Sequence, residues 1–340
     1  MSLLPAKSKF DEYVKMGLIR SQTEGDLTIY QYTELTQFDR LWNGVTLAAR
    51  GIVFDKDGTV VQRCFPKFFN SDEPEGIVLS KTVKPTKLAV YEKLDGSLIK
   101  VTFDTKHGLV VTSKASFNSD QAKWALEIID EEGYEFSQGV TYHFELIHPS
   151  NQIVLNYGDR RELVLLAVVD NETGKEYSLH HVGGFKKVKK LPDEIIKDVN
   201  KLNENGFYEG VVVDFGSYRL KMKTDEYVRL HRIVTDFTPK RVWEALSAGQ
   251  MIERQNIPEE FLKWLEATEK ELLLAYSELF DKVNQALVDS AEMTNKEVAL
   301  TDDEGIKSMK HYIFASRSGK DISQMIWKAI KPKGGENEQI

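Results

Sequence analysis

The sequence predicts an α+β protein, with mixed and largely antiparallel sheets and flanking helices over residues 1–237 and an all-helical C-terminal domain over residues 238–340. Two patterns lead there. From about Leu27 to Leu230, short runs rich in Val, Ile, Phe and Tyr alternate with turn residues. From about Thr238 onward, Trp, Leu, Phe and Ile recur three to four apart, the spacing of one helix face.

The elements follow in order. Gly51 to Phe54 and Thr59 to Val61 flank Asp55-Lys56-Asp57-Gly58 and read as a hairpin. Further strands are expected at 88–91, 97–103, 109–112, 140–147, 163–169, 210–215 and 218–222, with a helix over 119–129. Pro239 suits the first turn of the opening C-terminal helix, and Pro258-Glu259-Glu260 marks another start ahead of a long helix over 261–287. The tail from Pro332 to Ile340 is polar and expected to fray.

Composition excludes several classes. With 41% hydrophobic and 29% charged residues and 9 prolines among 340, the chain is neither disordered nor fibrous. Its one cysteine, Cys64, makes no internal disulfide or multi-cysteine zinc site and reads as a small buried apolar residue. The N-terminus lacks a signal-like apolar stretch and Leu163 to Val169 is too short to span a bilayer, so a cytoplasmic protein without a membrane partner is expected. A net charge of -8 still permits a local basic cleft for nucleic acid.

The segment Tyr91-Glu92-Lys93-Leu94-Asp95-Gly96-Ser97 is the most informative, because it places Lys-x-Asp-Gly at a junction of two strands. Alone it is weak, since a chain of this length shows such a pattern by chance ~5 to 10% of the time, and an Asp-Gly turn beside a solvated lysine fits it too. A lysine nucleophile must be neutral, whereas only about one free lysine in 2,500 is neutral at pH 7. Bringing its pKa to 7 takes about 4.6 kcal/mol, for which nearby cations and partial burial are the available means. Arg219, Lys221 and Lys223 alternate along one strand and are expected to share a face that repels Lys93 and attracts anions. Glu145 and Glu209 sit in or beside apolar strands, where a carboxylate needs a partner. With Asp95 they are expected to form an acidic group able to hold hydrated Mg²⁺.

In order along the chain stand Ala49-Arg50-Gly51-Ile52, Phe65-Pro66-Lys67-Phe68-Phe69-Asn70, the Lys93 segment, Ser113-Lys114, Phe144-Glu145-Leu146, Tyr208-Glu209-Gly210-Val211 and Lys221-Met222-Lys223. From about Tyr32 to His231 this series resembles the covalent nucleotidyltransferases, and specifically the ATP-dependent RNA ligase 1 type of T-even bacteriophages. The resemblance implies a nucleotidyltransferase domain of ATP-grasp-like ligase fold and three nucleotidyl transfers through a lysyl-AMP and an AMP-capped RNA. The cofactors implied are ATP and Mg²⁺, with Mn²⁺ able to substitute. The partner implied is RNA with 5′-phosphate and 3′-hydroxyl ends, a nicked tRNA among the possibilities, acted on by a monomer. Lys93 would carry AMP. Arg50, Lys67, Lys114, Lys221 and Lys223 would contact phosphates or ribose, and Glu145 and Glu209 the ribose or the metal's water shell. Gly96 would admit phosphate to the backbone, Phe69 would pack near the nucleoside, and Tyr32 would stand at the site's edge. Tyr227 matches a family tyrosine, and Glu253 is a loose match for a further metal carboxylate.

Capping guanylyltransferases and DNA ligases share the lysine motif, but they usually add an OB-fold barrel where this chain turns helical. A non-catalytic RNA-binding scaffold is the reading from another class, and the complete set of lysines and carboxylates argues against it. His180-His181 reads as a surface turn, and Lys186 to Lys190 as a solvated charge run.

Overall fold

The computed structural model describes residues 4–236, 238–252 and 259–332. The Pro258 helix start, nearly all of the polar tail and Glu253 lie outside the described residues. The chain divides into two compact units, Met1–Leu230 and His231–Ile340.

The first unit contains three sheets. Helix α1 (Lys7–Lys15) precedes β1 (Ile19–Glu24) and β2 (Leu27–Tyr32); two short helices, α2 (Glu34–Phe38) and α3 (Gly44–Ala48), lead to β3 (Arg50–Asp55) and β4 (Val60–Gln62). These strands form an antiparallel sheet in the order β1-β2-β3-β4, and β3 and β4 are the hairpin expected around Asp57-Gly58. Phe10, Tyr30 and Phe54 pack as a tilted aromatic trio in its core.

After β5 (Phe69–Asn70) and helix α4 (Pro74–Thr82) come β6 (Ala89–Lys93), β7 (Ser97–Asp104), β8 (Gly108–Thr112), helix α5 (Asp120–Glu132), β9 (Val140–Ile147) and β10 (Glu162–Asp170). The second sheet runs β10-β9-β7-β8. Helix α5 covers it because Ala122, Ala125, Ile128 and Ile129 recur on one stripe and are buried. Ser119 caps its start by accepting the Ala122 N–H, and Gly133 ends it at φ 62°.

The third sheet adds β11 (Lys190–Leu191), β12 (Gly210–Asp214) and β13 (Arg219–Lys223) to β6 and β5, in the order β11-β6-β12-β13-β5, with only β13 and β5 parallel. Register sets Lys93 opposite Gly210 and Gly210 opposite Lys223, so the ends of three neighbouring strands meet.

Helix begins earlier than the composition shift suggests, at α6 (Asp225–Asp236), whose opening Asp225 and Glu226 complement the helix N-terminus. Helices α7 (Pro239–Ser247), α8 (Glu259–Asp289), α9 (Asn295–Leu300), α10 (Glu304–Arg317) and α11 (Ile322–Ala329) follow. Pro239 occupies the first turn of α7 and Thr238 caps it. Their core holds Val242, Leu265, Leu272 and Trp327, with Val283, Tyr312 and Ile326 farther along. Among the described residues, no helix is long and apolar enough to cross a membrane.

Candidate active site

The Lys-x-Asp-Gly segment is a pinned turn, not a free one. Asp95, 3% exposed, accepts the N–H groups of Val154 and Leu155 on Oδ2 at 2.8 and 2.7 Å, and the Tyr227 hydroxyl on Oδ1 at 2.7 Å. Its own N–H donates to the Tyr157 hydroxyl at 3.0 Å. Next to it, the Gly96 N–H donates to Glu145 Oε1 at 3.1 Å, and a Cβ at Gly96 would lie 2.3 Å from the Leu146 carbonyl oxygen. Glycine is therefore required by the approach of β9.

Lys93 closes β6 with Nζ 2.7 Å from Glu209 Oε2, while Lys223 Nζ lies 3.3 Å from Glu209 Oε1. Burial by itself pulls the Lys93 pKa down, but Glu209, Glu145 and Asp95 outweigh it and leave the amine above the ordinary lysine value. The free protein thus differs from the expectation of a lysine discharged by surrounding cations, because a buried carboxylate, Glu209, is in direct contact with the amine. Burial, with Glu209 and Asp95 adding to it, pushes the Glu145 carboxyl up to about 7 against the pull of Lys93 and the Gly96 N–H.

Of the three carboxylates expected to hold hydrated Mg²⁺, all act on Lys93, but Asp95 differs from the other two. Both Asp95 oxygens are committed to the turn, and among the described residues no three His, Cys, Asp or Glu side chains converge as metal ligands. Glu145 and Glu209 remain as the carboxylates facing Lys93. Glu209 Oε2 is buried, and its contact with Lys93 lacks hydrogen-bond alignment.

Around this pair stand four cations with no carboxylate within ion-pair distance among the described residues: Arg50, Lys67, Lys114 and Lys221. The Arg50 guanidinium lies 4.9 Å from the Phe65 ring centroid and 5.2 Å from that of Phe68. Lys67 Nζ sits 5.5 Å from the Tyr32 ring, 5.0 Å from Trp42 and 5.2 Å from Phe69; Lys114 Nζ sits 5.2 Å from Tyr32. Burial, then Lys93, Lys67, Arg50 and Lys223, bring Lys221 down to about 7. Burial, then Arg50 and Lys67, bring Lys114 down to about 8, and burial followed by Arg50 lowers Lys67. Concentrated positive charge without counter-ions is an anion site.

One sequence expectation is corrected. Arg219 contributes no free charge, since both of its terminal nitrogens bond to Glu176 and one lies 3.3 Å from Asp214. Phe69 packs edge-on against Trp42 with Lys67 Nζ 5.2 Å from its ring, and Phe65 and Phe68 line the adjoining cavity. That cavity, about 440 Å³, lies between the second and third sheets and includes Tyr91 and Glu92, the residues just before Lys93. His180, Lys187 and Lys190 also line this cavity, while Lys186 is paired with Glu162. Cys64 is buried, as expected. Trp42, Tyr157 and Glu176 were not singled out from the sequence. Trp42 two residues from a helix start and ten from Tyr32 carries no motif; only its aromatic type was a signal.

Residues 48–227 match the model of a protein family described as RNA ligase. An RNA ligase of Rhodothermus phage RM378 is 23% identical over 365 aligned positions, which take in 83% of this chain and 79% of the phage protein. A protein of Autographa californica nuclear polyhedrosis virus, described as a bifunctional polynucleotide kinase/RNA ligase, is 28% identical over 246 positions, 63% of this chain but 35% of its own length. Among solved structures, an archaeal ATP-dependent RNA ligase aligns over 92% of this chain and 80% of its own at 13% identity, with a TM-score of 0.45.

Proposed function

Since this chain belongs to the RNA ligase family, we propose that Lys93 is its nucleotide-accepting residue and that ATP is the donor. The observation that carries this reading is the ring of uncompensated cations, Arg50, Lys67, Lys114 and Lys221, set around a strand-end lysine already paired with a buried carboxylate. Lys93 Nζ would attack the α-phosphorus, form a P–N bond and expel pyrophosphate. AMP would then pass to the 5′-phosphate of RNA, and a 3′-hydroxyl would attack that activated phosphate and release AMP. Charge builds on phosphate oxygens in each transfer, and fixed cations stabilise it without reorganising. The cavity beside Tyr91 and Glu92 suits the nucleobase, with Phe65 and Phe68 as its aromatic wall.

Glu145 and Glu209 fit a hydrated divalent cation, because Glu209 Oε2 is buried without an aligned donor and such ions take few carboxylates and several waters. Mg²⁺ there, or Mn²⁺, would supply charge against the α-phosphate and compete with the Lys93 ammonium for the carboxylates. We assign residues 1–237 to nucleotidyl transfer and residues 238–340 to selection of RNA, with a nicked tRNA one substrate to offer.

The test is incubation with α-labelled ATP and Mg²⁺. Wild-type protein should take up a covalent label, stable to alkali and labile to acid as a P–N bond is, that Lys93→Ala lacks, and 5′-phosphorylated single-stranded RNA should yield circles and an AMP-capped intermediate. Label persisting on Lys93→Ala would refute the assignment of the nucleophile.

A further inference from the structure

We propose that Trp42 is a positioning residue for nucleotide binding: with Tyr32 and Phe69 it forms a three-ring cage that holds the Lys67 ammonium toward bound polyphosphate. This rests on the reading of Lys67 as part of the phosphate site.

The cage is built from three separate stretches of chain. Lys67 Nζ lies within 5.0 to 5.5 Å of all three ring centroids, and Trp42 is nearest. The rings hold one another: Trp42 meets Tyr32 at 5.1 Å and 86°, and Phe69 at 5.6 Å and 72°, both edge-to-face. Helix α3 registers the parts. Asn43, directly after Trp42, caps it through a reciprocal bond with Thr46; the Lys67 N–H donates to the Leu47 carbonyl at 3.0 Å; the Tyr32 N–H donates to the Ala49 carbonyl at 2.7 Å.

Charge explains why rings are used. A carboxylate against Lys67 would cancel its charge and have to be displaced by phosphate. An aromatic face attracts a cation through its quadrupole, carries no net charge and takes up no proton. The two acidic groups whose charge reaches Lys67 also have other partners: Glu73 accepts from Asn70, and Glu75 faces Arg40. Lys67 is thereby held in place by rings, with no carboxylate at ion-pair distance among the described residues.

Graded fluorination separates ring electrostatics from shape. Tryptophan analogues carrying one, two and three ring fluorines are placed at position 42 alone, and Kd for inorganic tripolyphosphate and KM for ATP are measured beside the melting temperature. The expected result is a stepwise loss of affinity reaching about fivefold to tenfold, with kcat and melting temperature unchanged and Trp42→Phe intermediate. Affinity that stays flat across the series, or that falls only with the melting temperature, overturns the inference. The tripolyphosphate arm needs no chemistry. A wild-type protein that binds tripolyphosphate yet takes no label from ATP would sink the adenylation reading and still report on the cage.

Discussion

Tyr227 donates its hydroxyl to Asp95 Oδ1 at 2.7 Å, and so ties helix α6 to the turn that follows Lys93. Asp95 is buried, and hydrogen bonds to a charged group are worth about 1.5–3 kcal/mol each. Tyr227→Phe should therefore lower unfolding free energy by about 1–3 kcal/mol and slow lysine adenylation by about tenfold, with little change in KM for ATP. Urea titration and single-turnover labelling measure the two effects. An unchanged labelling rate in a destabilised protein would confine Tyr227 to the fold.

Asp95 also shows how far the sequence is legible. That Lys93, Asp95 and Gly96 stand together at a strand end is a local pattern, and the alternation of Lys221 and Lys223 on one strand is equally local. The partners of Asp95 at Val154, Leu155 and Tyr227 are 59 to 132 positions away and carry no periodicity that would announce them. The same holds for Glu176, which neutralises Arg219 from 43 positions away. Sequence reasoning counted cations near Lys93 but had no means of ranking distances. Glu209, one residue before a strand, is the group in contact with it. The helix at Asp225 was missed because its start follows Lys223 without a break in polarity, whereas Pro239 marks the next helix openly.

Anion binding should take up protons. Lys221, held near 7, and Lys114, held near 8, are partly neutral in the free protein at pH 8, and phosphate favours their charged forms. Ligand binding raises both pKa values, so affinity for tripolyphosphate is fully expressed below about 7 and declines as pH rises through the free-protein values. Calorimetry at pH 8 in buffers of different ionisation enthalpy should show net proton uptake, and Lys221→Arg, which stays charged, should reduce it. Proton release on binding would contradict the sign.

Gly51 should be far less replaceable than Gly108. Both have positive φ, 81° and 75°, so alanine meets a backbone cost of about 1–2 kcal/mol at either position. A Cβ at Gly108 meets nothing within 4 Å, whereas at Gly51 it would lie 2.2 Å from the Lys114 carbonyl oxygen and 2.7 Å from Lys100 Nζ. Buried Lys100 also donates to the Gly51 carbonyl, so movement there displaces Arg50 and Lys114 together. Gly108→Ala should keep ATP labelling near wild type; Gly51→Ala should lose it at temperatures where the protein remains folded by circular dichroism.

Glu209→Gln should act on Lys93 in two opposed ways. Removing the carboxylate leaves burial in place but deletes the strongest attraction on the Lys93 ammonium, and Lys223 loses the same partner and becomes an uncompensated cation nearby. The Lys93 pKa must then fall, which raises the fraction of free amine at pH 8. Acetic anhydride, which is uncharged, should modify Lys93 several times faster in the variant, measured by mass spectrometry of the peptide that contains it. Metal-dependent adenylation should nevertheless drop by about 10²–10³-fold, because one of two carboxylates suited to the divalent cation is gone and a positioned charge contributes on that scale. Faster acylation with slower adenylation separates the availability of the amine from the electrostatics of the transfer. Unchanged acylation would mean that Glu209 does not hold the proton on Lys93.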